Sequence, residues 1–315
     1  VNLRQLDTLI TIADAGSLAR AAGRLNLSQP AASRQIQALE ADLGVRLFDR
    51  SGRQLQLTSD GEDIVRRARR LLQEAEALRD RAQALKGGQT GTLRVGASPQ
   101  SIELVLAPFV PAFKKRHPGI EVHFVEGGGA QINERLERAD AHVVLTSSMS
   151  DFAGGHPLFP IYLLAAVAHS HRFARRASID VTELADEPIL LLQRGFASRG
   201  WFDAECHIAD LRPRIVLESG APHTLMALAA SGEGVAIVPS NVRISRELVR
   251  VVPVTSHGAS IGRWATIAWD ARRFFPVFAR QFVDELVRRC QRTYPGRELT
   301  RHARPLPRPK SVAAR

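Results

Sequence analysis

Within ten residues, Ser28, Gln29, Ser33, Arg34 and Gln37 offer hydroxyl, amide and guanidinium groups with no carboxylate among them. Groups of this kind bond to phosphate oxygens and base edges, and Arg and Gln can do so through two hydrogen bonds at once. Ala32, Ile36, Leu39 and Leu43 recur through the same stretch at spacings of three and four. That period predicts a helix over about 29–43 that buries one face and leaves the polar face to solvent. Ser28 is placed to cap its start, and Pro30 lies in the first turn, where a missing N–H costs nothing. Arg50 and Arg53 flank Ser51-Gly52, between the alternating segments 45–50 and 54–58, which read as a β-hairpin. Arginines at a hairpin tip would meet phosphates or the minor groove.

Other groupings carry less. His169-Ser170-His171 lacks a third ligand at zinc spacing, so no metal or other cofactor is expected. Cys206 and Cys290 form no CxxC pair; they read either as inert buried thiols, the simpler reading, or as the two halves of a redox switch. The patterns G-x-S-x-G, H-E-x-x-H, the phosphate-binding loop and the full G-x-G-x-x-G are absent, so an enzyme is not expected.

Holding the polar helix in place requires further helices. Leu3, Leu6, Leu9, Ile10 and Ala13 share one face; Gly16 ends that helix, and Ser17 is placed to cap a second over about 18–25. Ala21 and Ala22 let a third helix approach closely, and Asn26-Leu27 makes the turn between. Three helices followed by a hairpin are the winged helix-turn-helix arrangement; spacing alone also fits a packing or protein-binding module. From Ser59 to Lys86 neither proline nor, after Gly61, glycine intervenes, and Ile64, Val65, Ala68, Leu71, Leu72, Ala75, Leu78, Ala82 and Leu85 keep a helical stripe. Such a stripe needs a cover, either the chain's own C-terminal part or the same helix of a second subunit. Gly87-Gly88-Gln89-Thr90-Gly91 reads as a hinge. Beyond it strand-like and helix-like segments alternate, which predicts an α/β unit with a mainly parallel sheet.

The run Ser17-Leu18-Ala19-Arg20-Ala21-Ala22, Leu27-Ser28-Gln29-Pro30-Ala31-Ala32-Ser33-Arg34-Gln35-Ile36, Leu43-Gly44-Val45-Arg46-Leu47-Phe48-Asp49-Arg50 and Leu57-Thr58-Ser59-Asp60-Gly61 resembles the LysR-type transcriptional regulators over nearly sixty residues. The resemblance continues more weakly through Gly91-Thr92-Leu93-Arg94-Val95-Gly96 and Gly232-Glu233-Gly234-Val235-Ala236-Ile237-Val238-Pro239. It implies double-stranded DNA as partner, with Ser28, Gln29, Pro30, Ser33 and Arg34 approaching it and Arg50 and Arg53 on the backbone. It also implies a dimer through the long linker helix, a tetramer as the full assembly, and a two-subdomain effector domain like the periplasmic solute-binding proteins.

In such a domain ligands lie beyond the carboxyl ends of the strands. The expected effector contacts are Ser98, Gln100, Ser101, Gly128, Gly129, Thr146, Phe196 and Ser198, and their N–H and hydroxyl groups suit a small polar or anionic molecule. The glycine run departs from the family, which often has a hydroxyl residue there. The expected division is a DNA-binding domain over 1–58, linker helix and hinge over 59–87, an effector domain over 88–292 and a disordered, proline-rich basic tail over 293–315. Within the effector domain, 91–163 and 265–292 make subdomain I and 164–264 subdomain II.

The net charge of +11 is a misleading clue to a polyanionic partner, because residues 291–315 hold +6 of it and residues 1–58 only +2. No apolar run is long enough for a membrane span, and residues 1–7 lack the order of a signal peptide, so a cytoplasmic location is expected. A solute-binding protein is the rival reading, opposed by the helix-turn-helix.

Overall fold

A computed structural model of the chain describes residues 1–49, 55–85, 90–138, 140–148, 153–300 and 303–309. The chain forms two compact units, Val1–Lys86 and Gly87–Arg315.

The first unit opens with helices α1 (Leu3–Ala15), α2 (Leu18–Arg24) and α3 (Gln29–Leu43). Asn2 and Gln5 cap α1 reciprocally, and Gly16 ends it in the left-handed region at φ 60°. Ser17 precedes α2 with extended backbone, but its side chain makes no capping hydrogen bond, contrary to the expectation. Leu9, Ile12, Leu39 and Leu47 are fully buried where the helices meet. Strands β1 (Phe48–Asp49) and β2 (Gln56–Leu57) pair antiparallel as the base of the wing.

Helix α4 (Ser59–Leu85) follows. Thr58 anchors its start: the hydroxyl donates to the Arg46 carbonyl (2.7 Å) and accepts from Gly61 N–H (2.9 Å). Val65 and Ala68 are buried with the α1 core, and Arg69 pairs with Asp14 at 2.5 Å. The first half of the stripe is thus covered within this unit.

The second unit runs β3 (Gly91–Ala97), α5 (Pro99–Ser101) with a π-turn over Ile102–Leu106, α6 (Val110–Arg116), β4 (Ile120–Glu126), α7 (Gly129–Glu137), β5 (Val143–Thr146), β6 (Ala153–Val167) and β7 (Ile179–Asp180). It continues with β8 (Pro188–Leu192), α8 (Ala197–Ile208), β9 (Arg214–Ser219), α9 (Pro222–Ala230), β10 (Val235–Pro239), β11 (Arg250–Ser256), β12 (Ala259–Ser260), β13 (Gly262–Asp270) and α10 (Val277–Arg292). The strands lie in the order β4-β3-β5-β13-β6-β10-β8-β9.

The sheet is mixed rather than mainly parallel. Pairs β3/β4, β3/β5, β8/β9 and β8/β10 are parallel, whereas β13 and β6 run against their neighbours. The reason is that β6 serves two half-sheets: up to Tyr162 it pairs with β13, and from Leu163 it pairs with β10 and β11. Among the described residues four buried clusters lie against these strands, two on the first half-sheet and two on the second. In the largest of these, Phe282 meets Phe109 and Phe113 edge to face with centroids 5.1 Å apart in each pair. Glu285 of α10 ties to the end of α6 through Arg116 and through His117 at 2.8 Å. Burial pushes its carboxyl up, but the hydrogen bonds from those two residues outweigh this and hold it below the ordinary range.

The expectation of a disordered tail is corrected for the described part of it. Tyr294 stacks on Phe159, and Leu299, Ala303 and Leu306 pack against the core of the second half-sheet. Four apolar side chains among prolines and arginines are enough to dock the segment.

Gly61 sits so close to the turn before the wing that a Cβ there would lie 2.1 Å from the Leu47 carbonyl oxygen. Gly61→Ala is expected to lower the stability of the first unit by about 1–3 kcal/mol, read from its denaturant midpoint; an unchanged midpoint would show that this contact relaxes freely.

Candidate nucleic-acid interface and ligand cleft

Ser28 starts α3 by accepting from Ala31 N–H at 3.3 Å, and Asn26 turns the chain between α2 and α3 with a φ of 53°. Ala32, Ile36 and Leu39 are buried. Ser28, Gln29, Pro30, Arg34 and Gln37 are exposed and Ser33 half-buried, so one surface carries all six. The acids of α3 lie in its last turns and are engaged: Glu40 accepts from Leu47 and Phe48 N–H (2.8 and 3.3 Å), and Asp42 pairs with the Val1 amino group at 3.0 Å. Arg34 makes no ion pair with a described residue, and its guanidinium stands free to meet an anion.

Residue Gln35 escaped the sequence reading. It accepts a 2.6 Å hydrogen bond from Thr8 and pins α3 to α1. An amide at the half-buried edge of the polar face and a lone threonine in an apolar stripe were the available signals. Arg50 and Arg53 lie outside the described residues.

In the second unit, a cleft opens where the two half-sheets meet. Ser98, Gln100, Ser101, Gly129, Thr146, Phe196 and Ser198 line it together, all from the expected set. Ser98 accepts from Ser101 N–H (3.3 Å), and its hydroxyl donates to the Ser101 hydroxyl (3.1 Å). Thr146 lines the wall, but its hydroxyl is engaged locally, donating to Ser148 O (2.9 Å) and accepting from Ser148 N–H (3.2 Å). Gly128 stands back from the lining and caps α7.

The two lips touch through backbone. Gly129 N–H donates to Gly195 O at 3.0 Å, and a Cβ on Gly128 would lie 2.9 Å from that same carbonyl. The glycine run is therefore what lets the lips close. The cavity behind them is about 70 Å³, room for roughly five water-sized groups.

Sequence reasoning missed the floor and back of the cleft: Ile161, Leu192, Trp201, Asn241 and Ala265. Ile161, Leu192, Trp201 and Ala265 are apolar side chains in strands and a helix, indistinguishable from core by type, and Asn241 lies in the turn after β10. Among the described residues that line it, none is charged. Beneath the Phe196 lip, Arg199 is buried and donates to Leu192 O (3.0 Å), to Asp203 (2.7 Å) and to Glu218. Burial alone would lower the Arg199 pKa; the bonds to Glu218 and Asp203 reverse this and raise it, while Arg199 holds Glu218 below the ordinary range.

His169 contacts Glu247 O (3.1 Å) and His171 contacts Glu187 (3.4 Å), so the two rings face different partners. Cys206 on α8 and Cys290 on α10 are buried in separate cores, and burial pushes both thiols up to about 12. Near neutral pH each is a protonated thiol, not a thiolate nucleophile. An alkylating reagent should leave both unmodified in the folded chain and modify both after denaturation, read by mass; rapid labelling of folded Cys206 would contradict this.

Residues 3–62 match the family described as bacterial regulatory helix-turn-helix protein, lysR family, and residues 86–291 match the LysR substrate binding domain. Among curated relatives, the HTH-type transcriptional regulator BsdA of Bacillus subtilis is 31% identical over 90% of this chain and 99% of its own. The hydrogen peroxide-inducible genes activator of Haemophilus influenzae is 28% identical over 81% of this chain and 87% of its own. Among solved structures, a full-length OxyR variant from Pseudomonas aeruginosa superposes with a TM-score of 0.66 at 26% identity, covering 93% of this chain and 95% of that one. Full-length CbnR complexed with its target DNA gives 0.63 at 26% identity, over 92% and 100%.

Proposed function

This chain belongs to the LysR family, DNA-binding transcriptional regulators with an effector-binding domain and not enzymes, and we propose that α3 reads its operator through Ser28, Gln29, Pro30, Ser33, Arg34 and Gln37. The exposed, acid-free N-terminal half of α3 with an unpaired Arg34 carries this reading. Arg50 and Arg53 add backbone contacts from the wing. The family's proteins form oligomers; here the interface assigned is α4 against α4 of a second copy, with a dimer of dimers as the full assembly. Leu71 and Leu78, seven residues apart on α4, are 55% and 71% exposed and continue the stripe that Val65 and Ala68 begin. The place of action is the cytoplasm, where the chromosome lies.

The effector reading is a small polar molecule or monoanion held by hydroxyls and N–H groups of Ser98, Gln100, Ser101, Gly129 and Ser198, with Phe196 as lid. Support comes from the size of the cavity and its uncharged, hydroxyl-bearing wall. Several relatives are named hydrogen peroxide-inducible genes activator. The protonated, buried thiols of this chain favour reversible ligand binding over thiol oxidation as the signal.

Sequencing the genomic DNA that co-purifies with the chain identifies the operator, and Arg34→Ala then tests the reader. The substitution should cost about 1–3 kcal/mol of specific binding per copy and leave the melting of the effector domain unchanged. Undiminished specific binding would move recognition off α3.

A thermal-shift screen of small carboxylates and hydroxylated compounds on the full chain should find one that stabilises it, by about 2.7 kcal/mol at a hundredfold excess over Kd. Ser98→Ala with Ser198→Ala should shrink that shift. Hits confined to large apolar compounds would refute the reading.

A further inference from the structure

The family match ends at residue 291, but the chain does not leave the surface there. After α10, Tyr294 stacks on Phe159 with centroids 5.5 Å apart and planes 7° from parallel. Gly296, at φ 80°, presses its backbone on Ser240 so closely that a Cβ would lie 2.2 Å from the Ser240 carbonyl oxygen. Leu299, Ala303 and Leu306 enter the apolar cluster that contains Tyr162. Leu306 also fills the space over Gly262, where a Cβ would come within 2.9 Å of it, and its carbonyl accepts a long 3.5 Å hydrogen bond from the Trp264 indole. The Arg308 guanidinium lies over the Trp264 ring at 5.4 Å.

These anchors are interleaved with the cleft. Tyr162 follows Ile161 on β6, Trp264 precedes Ala265 on β13, and Ser240 sits between Pro239 and Asn241 after β10; the second-named residues all line the cleft. Neighbours along a strand point to opposite faces, so Tyr162 and Trp264 face away from the cleft-lining Ile161 and Ala265, whereas Phe159, two residues before Ile161, shares its face. Tyr294 holds the core of the first half-sheet through Phe159, and Leu299, Ala303 and Leu306 hold the core of the second.

The cleft would widen by flexing where β6, and the chain at Ile261 that leads into β13, pass between the half-sheets. Tyr162 and Ser240 are tied at that point, with Ser240 N–H donating to Tyr162 O (2.8 Å) and Tyr162 N–H to the Ser240 hydroxyl (3.1 Å). A segment fastened on both sides of this line must lose contacts when the halves swing apart.

We infer that the described residues of the C-terminal segment, 293–300 and 303–309, are a brace across the hinge that sets the resting width of the effector cleft and hence its affinity. This rests on reading the cleft as the effector site. With the brace docked, the lips stay within reach of the Gly129 to Gly195 bond, and the ligand meets a cleft already in its binding shape. Released, the closed form becomes a fraction of the population, and the apparent Kd rises in inverse proportion to that fraction.

The test measures the hinge with no ligand added, so it stands apart from the effector reading. Ala130→Cys on α7 and Arg194→Cys on the opposite lip, both exposed positions, are spin-labelled in the full chain carrying Cys206→Ser and Cys290→Ser. The distance distribution is compared with that of a chain ending at Thr293 and of a full-length chain with Tyr294→Ala and Leu306→Asp. Both released forms should show a longer and broader distance, by more than the roughly 2 Å that separates hinge motion from side-chain adjustment. Tyr294→Phe, which keeps the stack, should restore the parent distribution. Should the shortened chain fail to fold, the full-length double variant decides. Distances unchanged in a folded released form overturn the brace. A cleft that widens in a chain that binds no small molecule would leave the brace standing and remove the effector reading alone.

Discussion

The antiparallel ladder between β6 and β13 runs from Tyr162 opposite Gly262 to Ala153 opposite Asp270, and β6 then continues into the second half-sheet without a break. Every feature of the C-terminal unit answers to this pair. Side chains alternate along it, so a shift of one residue would send Ile161 and Ala265 out of the cleft and empty its floor. Register is held at several points: Gly154 lies against Trp269 with no space for a Cβ, and Leu163 N–H reaches Ile261 O across the crossing at 2.8 Å. A strand shared by two half-sheets, held beside the chain at Ile261, can flex but cannot slide. The cleft therefore has one natural motion, and whatever fastens the crossing governs it.

A related economy shapes the DNA-binding unit. Helix α3 owes its orientation to a few polar ties added to apolar packing, chiefly Thr8 to Gln35 and Glu40 to the backbone of Leu47 and Phe48. Glu40 thereby removes an acid from the exposed surface and fixes where the wing begins. With a formal charge near +2 over residues 1–58, one copy offers little nonspecific attraction to a polyanion. Specific affinity must come from well-placed contacts repeated in a second copy, where linkage makes the second engagement effectively intramolecular. The exposed leucines of α4 and the modest charge of this unit both suit a protein that works as an oligomer.

The helix-turn-helix was legible because caps, turn and periodicity agreed at every position from Ser28 to Leu39, and the buried and exposed faces follow that pattern residue by residue. The polar half of the cleft was legible too, since Ser98, Ser101 and Ser198 stand at strand-to-helix junctions. Its apolar half was not, because Ile161, Leu192 and Ala265 look like any core residue until the strands are placed. The start of β6 is hard to read from sequence: Gly154, Gly155, Pro157 and Pro160 are residue types that interrupt strands, yet the strand absorbs them beside the irregular register of β13 near Ala265. The docked tail was obscured by composition. Proline and arginine dominate it, while the four apolar residues that fasten it are too widely spaced to form a period.

Size sets the terms on which such a cleft can signal. A ligand filling roughly five water-sized positions, at the ceiling of about 1.5 kcal/mol per non-hydrogen atom, brings about 7 kcal/mol in total. Moving an equilibrium from 1:99 to 99:1 takes about 5.5 kcal/mol of difference in affinity between the two states, nearly all of that sum. A small effector therefore switches the protein only if the open and closed forms are almost balanced beforehand, or if most of its contacts exist in one form alone. The closed lips serve the second condition, because the wall is complete only when Gly129 meets Gly195. The first has to be met by interactions remote from the ligand, and those where β6 crosses between the half-sheets are placed to set that balance without touching the ligand at all.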